Sequence, residues 1–197
     1  MQAVFWILLA FFFGSLPLSY WLGRMALKVD IRQYGDGNPG AANVWRAGGR
    51  GWGLLAILLD GGKGLIGVAL GVTIGGLQGW ALFPLGLAPI LGHAYTPFLN
   101  FQGGKSLAIT FGVWTALTLY EVPVVLGLAF GFWLWLLRTE GWATLAGMLT
   151  LLAYLLIWHP DPVYIALAAA NTLLLIWRYR DYLQKKPILF GRTPHSR

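Results

Sequence analysis

The sequence contains seven apolar stretches that are divided by short polar or Gly- and Pro-containing segments. They cover residues 1–23, 52–74, 78–98, 106–120, 122–137, 142–158 and 161–177. Because about 20 apolar residues in a helix cross the ~30 Å hydrocarbon core of a bilayer, such stretches predict membrane spans. Their continuous apolar character favours helices over the alternating pattern of β-barrel strands. The expected fold is an all-α integral membrane protein with seven transmembrane helices.

The amino-acid composition supports this class. Only 11% of the 197 residues are charged, whereas a soluble domain carries about 25%. The chain has no cysteine, which excludes disulfides and cysteine metal sites. The three histidines lie far apart in sequence, so neither a metal site nor a cofactor is expected. The N-terminus lacks the basic segment of a signal peptide and is interpreted as the first span.

The basic residues predict the orientation of the chain. With seven spans, residues 24–51, 99–105, 138–141 and 178–197 face one side and hold 13 of the 14 Lys and Arg residues. Cytoplasmic loops carry such an excess, so we expect the N-terminus outside and the C-terminus in the cytoplasm. The chain then forms one multi-pass domain over residues 1–197, with residues 178–197 as a cytoplasmic basic tail. The net charge of +7 reflects this bias, and no nucleic-acid partner is expected.

A glycine-rich segment, residues 30–46, follows the first span and is called the glycine loop below. Closely spaced glycines can turn backbone N–H groups toward one anion, and arginine matches phosphate geometry. The candidate phosphate-binding residues are Gly35, Asp36, Gly37, Asn38, Gly40, Asn43 and Arg46. A flexible juxtamembrane loop with positive-inside arginines is an equally good interpretation. The GxGxxG match within the loop is not a dinucleotide motif, because membrane spans flank it instead of a soluble βαβ unit.

A second polar segment, residues 92–106, lies after the third span on the same predicted side. Gly103 and Gly104 could offer backbone donors, and Lys105 adds a cation. The candidate substrate- or phosphate-binding residues of this segment are His93, Gly103, Gly104 and Ser106. His93 is expected to orient the segment rather than to act as a base. The ending GKS is not a Walker A motif because Leu99 stands where that motif needs glycine. A lysine that reaches the interface without any ligand is the competing interpretation of Lys105.

A third polar element lies inside the second span. Asp60 and Lys63 are three residues apart and therefore share one helical face, where they can neutralise each other. A structural pair and a substrate contact are both compatible with this spacing. Glu121, His159 and Asp161 are expected to be solvated turn residues.

These motifs, in this order, resemble the bacterial PlsY-type glycerol-3-phosphate acyltransferases over roughly the first 115 residues. The resemblance rests on Gly14–Pro17, Gly23-Arg24, the glycine loop up to Arg46, Asp60–Gly64, Gly92-His93 and Gly103–Lys105. It implies a seven-helix enzyme of phospholipid biosynthesis in the bacterial cytoplasmic membrane. The implied reaction transfers a fatty acyl group from acyl-phosphate to glycerol-3-phosphate and yields lysophosphatidic acid. Asn38, Arg46 and Lys105 would be the catalytic residues, and no oligomer would be required.

The sequence departs from the family pattern at several positions. Asp36 stands where the family usually has serine, and Ser106 stands where it has glycine. Residues 138–144 lack the serines of the family, and residues 177–180 lack its histidine and asparagine. Arg138, Arg178 and Arg180 are further candidates for the site, together with Asp60 and Lys63. A diverged member that binds or transports a phosphorylated metabolite or lipid is therefore the alternative function.

Overall fold

The computed structural model describes residues 1–189, and all of their regular structure is helical. The α-helices are α1 Gln2–Ser15, α2 Leu18–Leu22, α3 Ala41–Gly48, α4 Arg50–Thr73, α5 Leu82–Ala94, α6 Leu107–Thr118, α7 Glu121–Leu137, α8 Glu140–Trp158, α9 Pro162–Arg178 and α10 Arg180–Leu183. Each of the last six apolar stretches coincides with one of these helices apart from a few residues at the ends, whereas the first stretch contains both α1 and α2. The prediction of an all-helical chain is confirmed for the described residues. The predicted basic tail lies partly outside them, from residue 190 onward.

Four helical segments within residues 1–189 are long and apolar enough to cross a membrane. They are Gln2–Leu27, Arg50–Thr73, Gly79–Leu99 and Glu140–Trp158. The helices α6, α7 and α9 are apolar but shorter. The count of seven spans and the orientation of the termini stay predictions.

The chain divides into two compact units, Met1–Leu119 and the part from Tyr120 onward. In the first unit, α4 packs against α6 and α1, and α1 packs against α5. Glycines permit these close contacts: a Cβ atom at Gly14 would approach the Pro89 carbonyl oxygen to 2.2 Å, and one at Gly112 would meet the Gly61 carbonyl oxygen. Small residues of this kind let the backbones of membrane helices approach closely.

The first apolar helix is interrupted at Leu16-Pro17. Proline lacks an N–H group and disfavours helical geometry in the residue before it, and Leu16 is accordingly extended, with ψ 120°. The interruption exposes carbonyl groups that need donors. The Thr96 hydroxyl donates to the Ser15 carbonyl at 2.5 Å, and the Lys63 ammonium donates to the Leu16 carbonyl at 2.5 Å. The break thereby ties α1 to α4 and to the segment after α5.

In the second unit, α8 packs against both α7 and α9. Asp161 caps α9, because its Oδ1 accepts a hydrogen bond from the Val163 N–H at 2.7 Å, and Pro162 occupies the first turn. Glu121 and His159 are not simply solvated turn residues as expected. The His159 Nε2 lies 2.5 Å from Glu121 Oε1, which also accepts a hydrogen bond from the Tyr154 hydroxyl at 2.6 Å. The antiparallel packing of α7 and α8 brings these helix ends together.

Candidate functional site

The start of the glycine loop is anchored by a buried side chain and an ion pair. Ile31 is fully buried in a cluster with Val44 and Ala56. Asp30 caps the short 3₁₀ turn Ile31–Gln33, and its Oδ2 lies 2.7 Å from the Arg32 Nη2. Hydrogen bonds from Arg32 lower the pKa of Asp30 to about 2, while burial opposes this shift. Arg32 is therefore engaged with Asp30 and with the ring of Tyr20, 4.8 Å away.

Gly35 determines how closely the glycine loop can approach α3. Its φ is +57°, a region that favours glycine. A Cβ atom there would lie 2.4 Å from Asn43 Oδ1 and 2.8 Å from Arg46 Nη1. The absence of a side chain thus makes room for two residues that the sequence singled out as phosphate ligands.

Asn43 is the centre of the hydrogen-bond network in the loop. Its Nδ2 donates to Asp36 Oδ1 at 2.9 Å and to the Asn38 carbonyl at 2.8 Å. Its Oδ1 accepts from Arg46 Nη1 at 2.7 Å. Asn43 is buried, whereas Arg46 is exposed. The network therefore holds an exposed guanidinium at a fixed place beside the loop.

The glycine loop and the second polar segment meet at an ion pair. Lys105 Nζ lies 2.9 Å from Asp36 Oδ2, and the two side chains are 11% and 20% exposed. Because Asp36 also binds Asn43, a continuous chain of contacts runs from Arg46 through Asn43 and Asp36 to Lys105. Cations from two segments that are far apart in sequence thus lie around the same loop.

The backbone N–H groups of Gly103 and Gly104 bind carbonyl groups of the protein, whereas the sequence predicted that they would be donors to an anion. The Gly104 N–H donates to the His93 carbonyl at 3.0 Å, and the Gly103 N–H donates to the Ala94 carbonyl at 3.1 Å. These carbonyls belong to the last turn of α5 and need donors from outside the helix. The two amides therefore satisfy the helix end instead of facing an anion. A Cβ atom at Gly104 would meet the His93 imidazole, so this glycine also makes room for that ring.

Ser106 likewise faces the helices and not the loop. It is buried, and its hydroxyl donates to the Ile90 carbonyl at 3.2 Å. Its backbone has φ +70°. The Ser106 hydroxyl thus binds a carbonyl group of α5, and a role of Ser106 in phosphate binding stays a prediction.

A buried charged cluster lies beside the loop. Lys63 Nζ is 3.1 Å from Asp60 Oδ1, and both side chains are 2% exposed, so the predicted pairing is confirmed. The Ser19 hydroxyl donates to Asp60 Oδ2 at 2.5 Å, and His93 Nδ1 lies 3.9 Å from Asp60 Oδ1. Asp60, Lys63 and His93 line a small recess together with Ser15, Pro39 and Gly104. Pro39 connects this recess to the glycine loop.

The chain matches the family described as glycerol-3-phosphate acyltransferase over residues 4–186. It belongs to this family. The PlsY-type resemblance of the sequence is thereby confirmed, and it extends beyond the first 115 residues.

Similar proteins include a glycerol-3-phosphate acyltransferase of Synechococcus sp. (strain JA-3-3Ab), 35% identical over 185 residues that cover 92% of this chain and 87% of the relative. A crystal structure of PlsY (YgiH), described as an integral membrane glycerol 3-phosphate acyltransferase in its glycerol 3-phosphate form, matches with a TM-score of 0.86 at 31% identity. It covers 97% of this chain and 96% of that one. The lysophosphatidic acid form of PlsY matches with a TM-score of 0.84 at 29% identity, over 97% and 96% of the two chains. Like PlsY, this chain is an integral membrane protein.

The second unit contains a hydrogen-bonded pair that was not predicted from the sequence. The Tyr179 hydroxyl, in the position after α9, donates to Glu140 Oε1 at 2.9 Å. Burial, and next the nearby Glu140 carboxylate, raise the pKa of Tyr179 well above its ordinary value. The only sequence signal was that both residues fall in segments where the family has serine or histidine.

The three arginine candidates also lie in the second unit. Arg138 ends α7 with φ +45° and is exposed. Arg178 is the half-buried last residue of α9. Arg180 stacks on the Trp177 ring at 4.6 Å and donates to the Trp177 carbonyl at 3.1 Å. Their proposed role in the site rests on the sequence alone.

Proposed function

We propose that this protein transfers a fatty acyl group from acyl-phosphate to glycerol-3-phosphate in the bacterial cytoplasmic membrane, and that the product is lysophosphatidic acid for phospholipid synthesis. Family membership supports the acyltransferase activity, and the PlsY structures are described in forms with glycerol 3-phosphate and lysophosphatidic acid. One observation supports the assignment of Arg46 and Lys105 as catalytic residues. Arg46 and Lys105, from two separate segments, lie at the two ends of one hydrogen-bonded network.

The proposal includes the predicted arrangement in the lipid bilayer. Seven helices cross it as a single domain, with the N-terminus outside and the C-terminus in the cytoplasm. The concentration of Lys and Arg in alternate loops supports this orientation. The glycine loop and Lys105 then face the cytoplasm, where glycerol-3-phosphate is found, and the acyl chain lies among the helices.

In the proposed reaction, positioning and charge stabilisation provide the catalysis. Acyl-phosphate is already activated, so no nucleophilic side chain is needed. The glycerol hydroxyl oxygen attacks the acyl carbonyl carbon, the bond from that carbon to the phosphate oxygen breaks, and inorganic phosphate leaves. A phosphate oxygen accepts the hydroxyl proton. Asn38, Arg46 and Lys105 hold phosphate oxygens and stabilise negative charge. Asn43 also binds phosphate, while Gly35, Gly37 and Gly40 shape the loop.

The test uses the purified protein in detergent with acyl-phosphate and labelled glycerol-3-phosphate. Arg46→Ala and Lys105→Met should each lower the formation of lysophosphatidic acid by about 10²-fold or more, because a donor to the developing charge is lost. Lys28→Met is the matched control, because Lys28 is an exposed cation on the same predicted side. Near-normal turnover in both site variants would overturn the residue assignment.

The alternative is a diverged family member that binds or transports a phosphorylated metabolite or lipid without acylating it. The Asp36 carboxylate beside Lys105 favours this function, as do the missing serines in residues 138–144 and the missing histidine and asparagine in residues 177–180. The same assay separates the two functions. Binding of glycerol-3-phosphate without any lysophosphatidic acid would support the alternative, and robust turnover would exclude it.

A further inference from the structure

The Asp36 carboxylate occupies the position around which the donors of the glycine loop converge. Lys105 Nζ lies 2.9 Å from its Oδ2, and Asn43 Nδ2 donates to its Oδ1 at 2.9 Å. The Asn38 backbone N–H donates to the same Oδ1 at 3.2 Å. A cation, a side-chain amide and a backbone amide are the groups that would hold a phosphate oxygen. Here they hold a side chain of the protein itself.

We propose that Asp36 is an internal anion that competes with the substrate phosphate for Lys105 and Asn43, and that it thereby sets the affinity for phosphate-bearing substrates. The inference rests on the proposed function, since it takes this network as the phosphate site. It concerns a property specific to this chain, because the family usually has an uncharged serine at this position.

Charge and burial explain why this competition matters. The Lys105 and Asp36 side chains are 11% and 20% exposed, so their interaction is shielded from solvent more than a surface ion pair is. A phosphate that binds Lys105 must either displace the carboxylate or accept its negative charge at close range. Both outcomes oppose binding, since hydrogen bonds between charged groups are stronger than neutral ones and like charges repel. The same effect speeds the departure of phosphate after the reaction.

The geometry of the loop supports a fixed position for this carboxylate. Gly35 and Gly37 flank Asp36 with φ values of +57° and +76°. The buried Asn43 holds both Asp36 and the Asn38 carbonyl. Asp36 therefore belongs to the folded loop, and substrate binding has to displace it from several partners at once.

The experiment compares Asp36→Asn and Asp36→Ser with wild type. Binding of inorganic phosphate and of glycerol-3-phosphate is measured by calorimetry in detergent, separately from turnover. Both variants should bind each ligand about tenfold more tightly, which corresponds to the loss of one charge-assisted interaction that competes with the ligand. In the kinetic assay KM should fall by a similar factor while kcat changes little. In a Lys105→Met background the gain from Asp36→Asn should disappear.

Asp30→Asn is the matched control, because it removes the same charge from the same loop and releases Arg32 in place of Lys105. Its affinity for phosphate should stay within about twofold of wild type, since exposed ion pairs contribute little. An equal gain in phosphate affinity in Asp30→Asn would overturn the inference. Unchanged or weaker phosphate binding in both Asp36 variants would overturn it as well.

A loss of kcat without a change in affinity would also overturn the inference and would indicate that Asp36 accepts a proton. Binding is measured separately from acyl transfer. If the protein showed no acyl transfer but the Asp36 variants still bound phosphate more tightly, the inference would be supported and the proposed function would fail.

Discussion

The two units of the chain differ in the charge of the polar side chains that they bury. The first unit buries Asp60 and Lys63 as an ion pair and places His93 beside them. In the second unit, over residues 120–189, the buried polar side chains are neutral: Thr144, Asn171, Thr172 and Tyr179. Ionised groups inside a membrane are costly and usually mark a functional site. From this contrast we propose that most of the chemistry of the protein takes place in residues 1–119.

The largest expected effect comes from breaking the buried ion pair. Asp60→Leu should lower the free energy of unfolding by about 3–5 kcal/mol, because Lys63 is left buried without its partner. Adding Lys63→Met should recover most of that loss. Thermal unfolding in detergent, followed by circular dichroism, measures both variants.

Thr172→Val is the corresponding change in the second unit. Its hydroxyl donates to the Ala168 carbonyl within α9, so the cost should be about 1 kcal/mol. Similar losses for Asp60→Leu and Thr172→Val would remove the contrast between the two units.

The next-largest difference between the two units should come from replacing a glycine by alanine. Gly35→Ala should lower acyl transfer by about 10²-fold, because the added Cβ displaces Asn43 and Arg46 and a misplaced group costs that much. Gly131 in α7 is the matched control, since a Cβ there meets no atom within 4 Å. Gly131→Ala should keep full activity and gain about 0.5–1 kcal/mol of stability from its higher helix propensity. Equal losses of activity would show that the second unit is just as sensitive.

Tyr179→Phe tests the second unit directly. Loss of the hydroxyl should cost about 1–2 kcal/mol of stability, and acyl transfer should stay within about threefold of wild type if this pair is structural. Since the folded-state pKa of Tyr179 lies above its unfolded value near 10, the wild type should lose stability as pH rises above 10. Tyr179→Phe should lack this part of the loss, as unfolding scans at pH 9 to 11 would reveal. A ~100-fold drop in activity would instead show that the Tyr179 hydroxyl takes part in the reaction.

The smallest effect is expected for the exposed ion pair of the glycine loop. The folded-state pKa of Asp30 is about 2, below its model-peptide value of 3.8. Its contribution to stability is therefore complete above pH 3.8 and is lost as pH falls through about 2. Because the Arg32 side chain is 44% exposed, Asp30→Asn should change stability at pH 7 by less than about 0.5 kcal/mol. A larger change in thermal unfolding would mean that this loop is held more firmly than its exposure indicates.

The helices within the seven apolar stretches could be predicted from the sequence, because an apolar run is a signal that resides in a single segment. The short helices α3 and α10 lie in polar segments and could not be predicted in this way. The Asp60–Lys63 pair was predictable for the same reason, since a spacing of three residues fixes a shared helical face. The Asp36–Lys105 and Glu121–His159 pairs could not be derived in this way, because each joins residues far apart in the chain. Their partners depend on how the helices pack. The hydrogen bonds from the Gly103 and Gly104 N–H groups to the end of α5 could not be predicted either, since they depend on where α5 ends.

The left-handed backbone at Ser106 has a consequence for how motif glycines are interpreted. The family has glycine at this position, and the φ of +70° here explains why without any ligand. Serine at this angle costs about 1 kcal/mol, which its hydrogen bond to the Ile90 carbonyl helps to offset. A glycine in a signature sequence can thus be favoured for backbone shape, and such a glycine is not by itself evidence of a substrate contact.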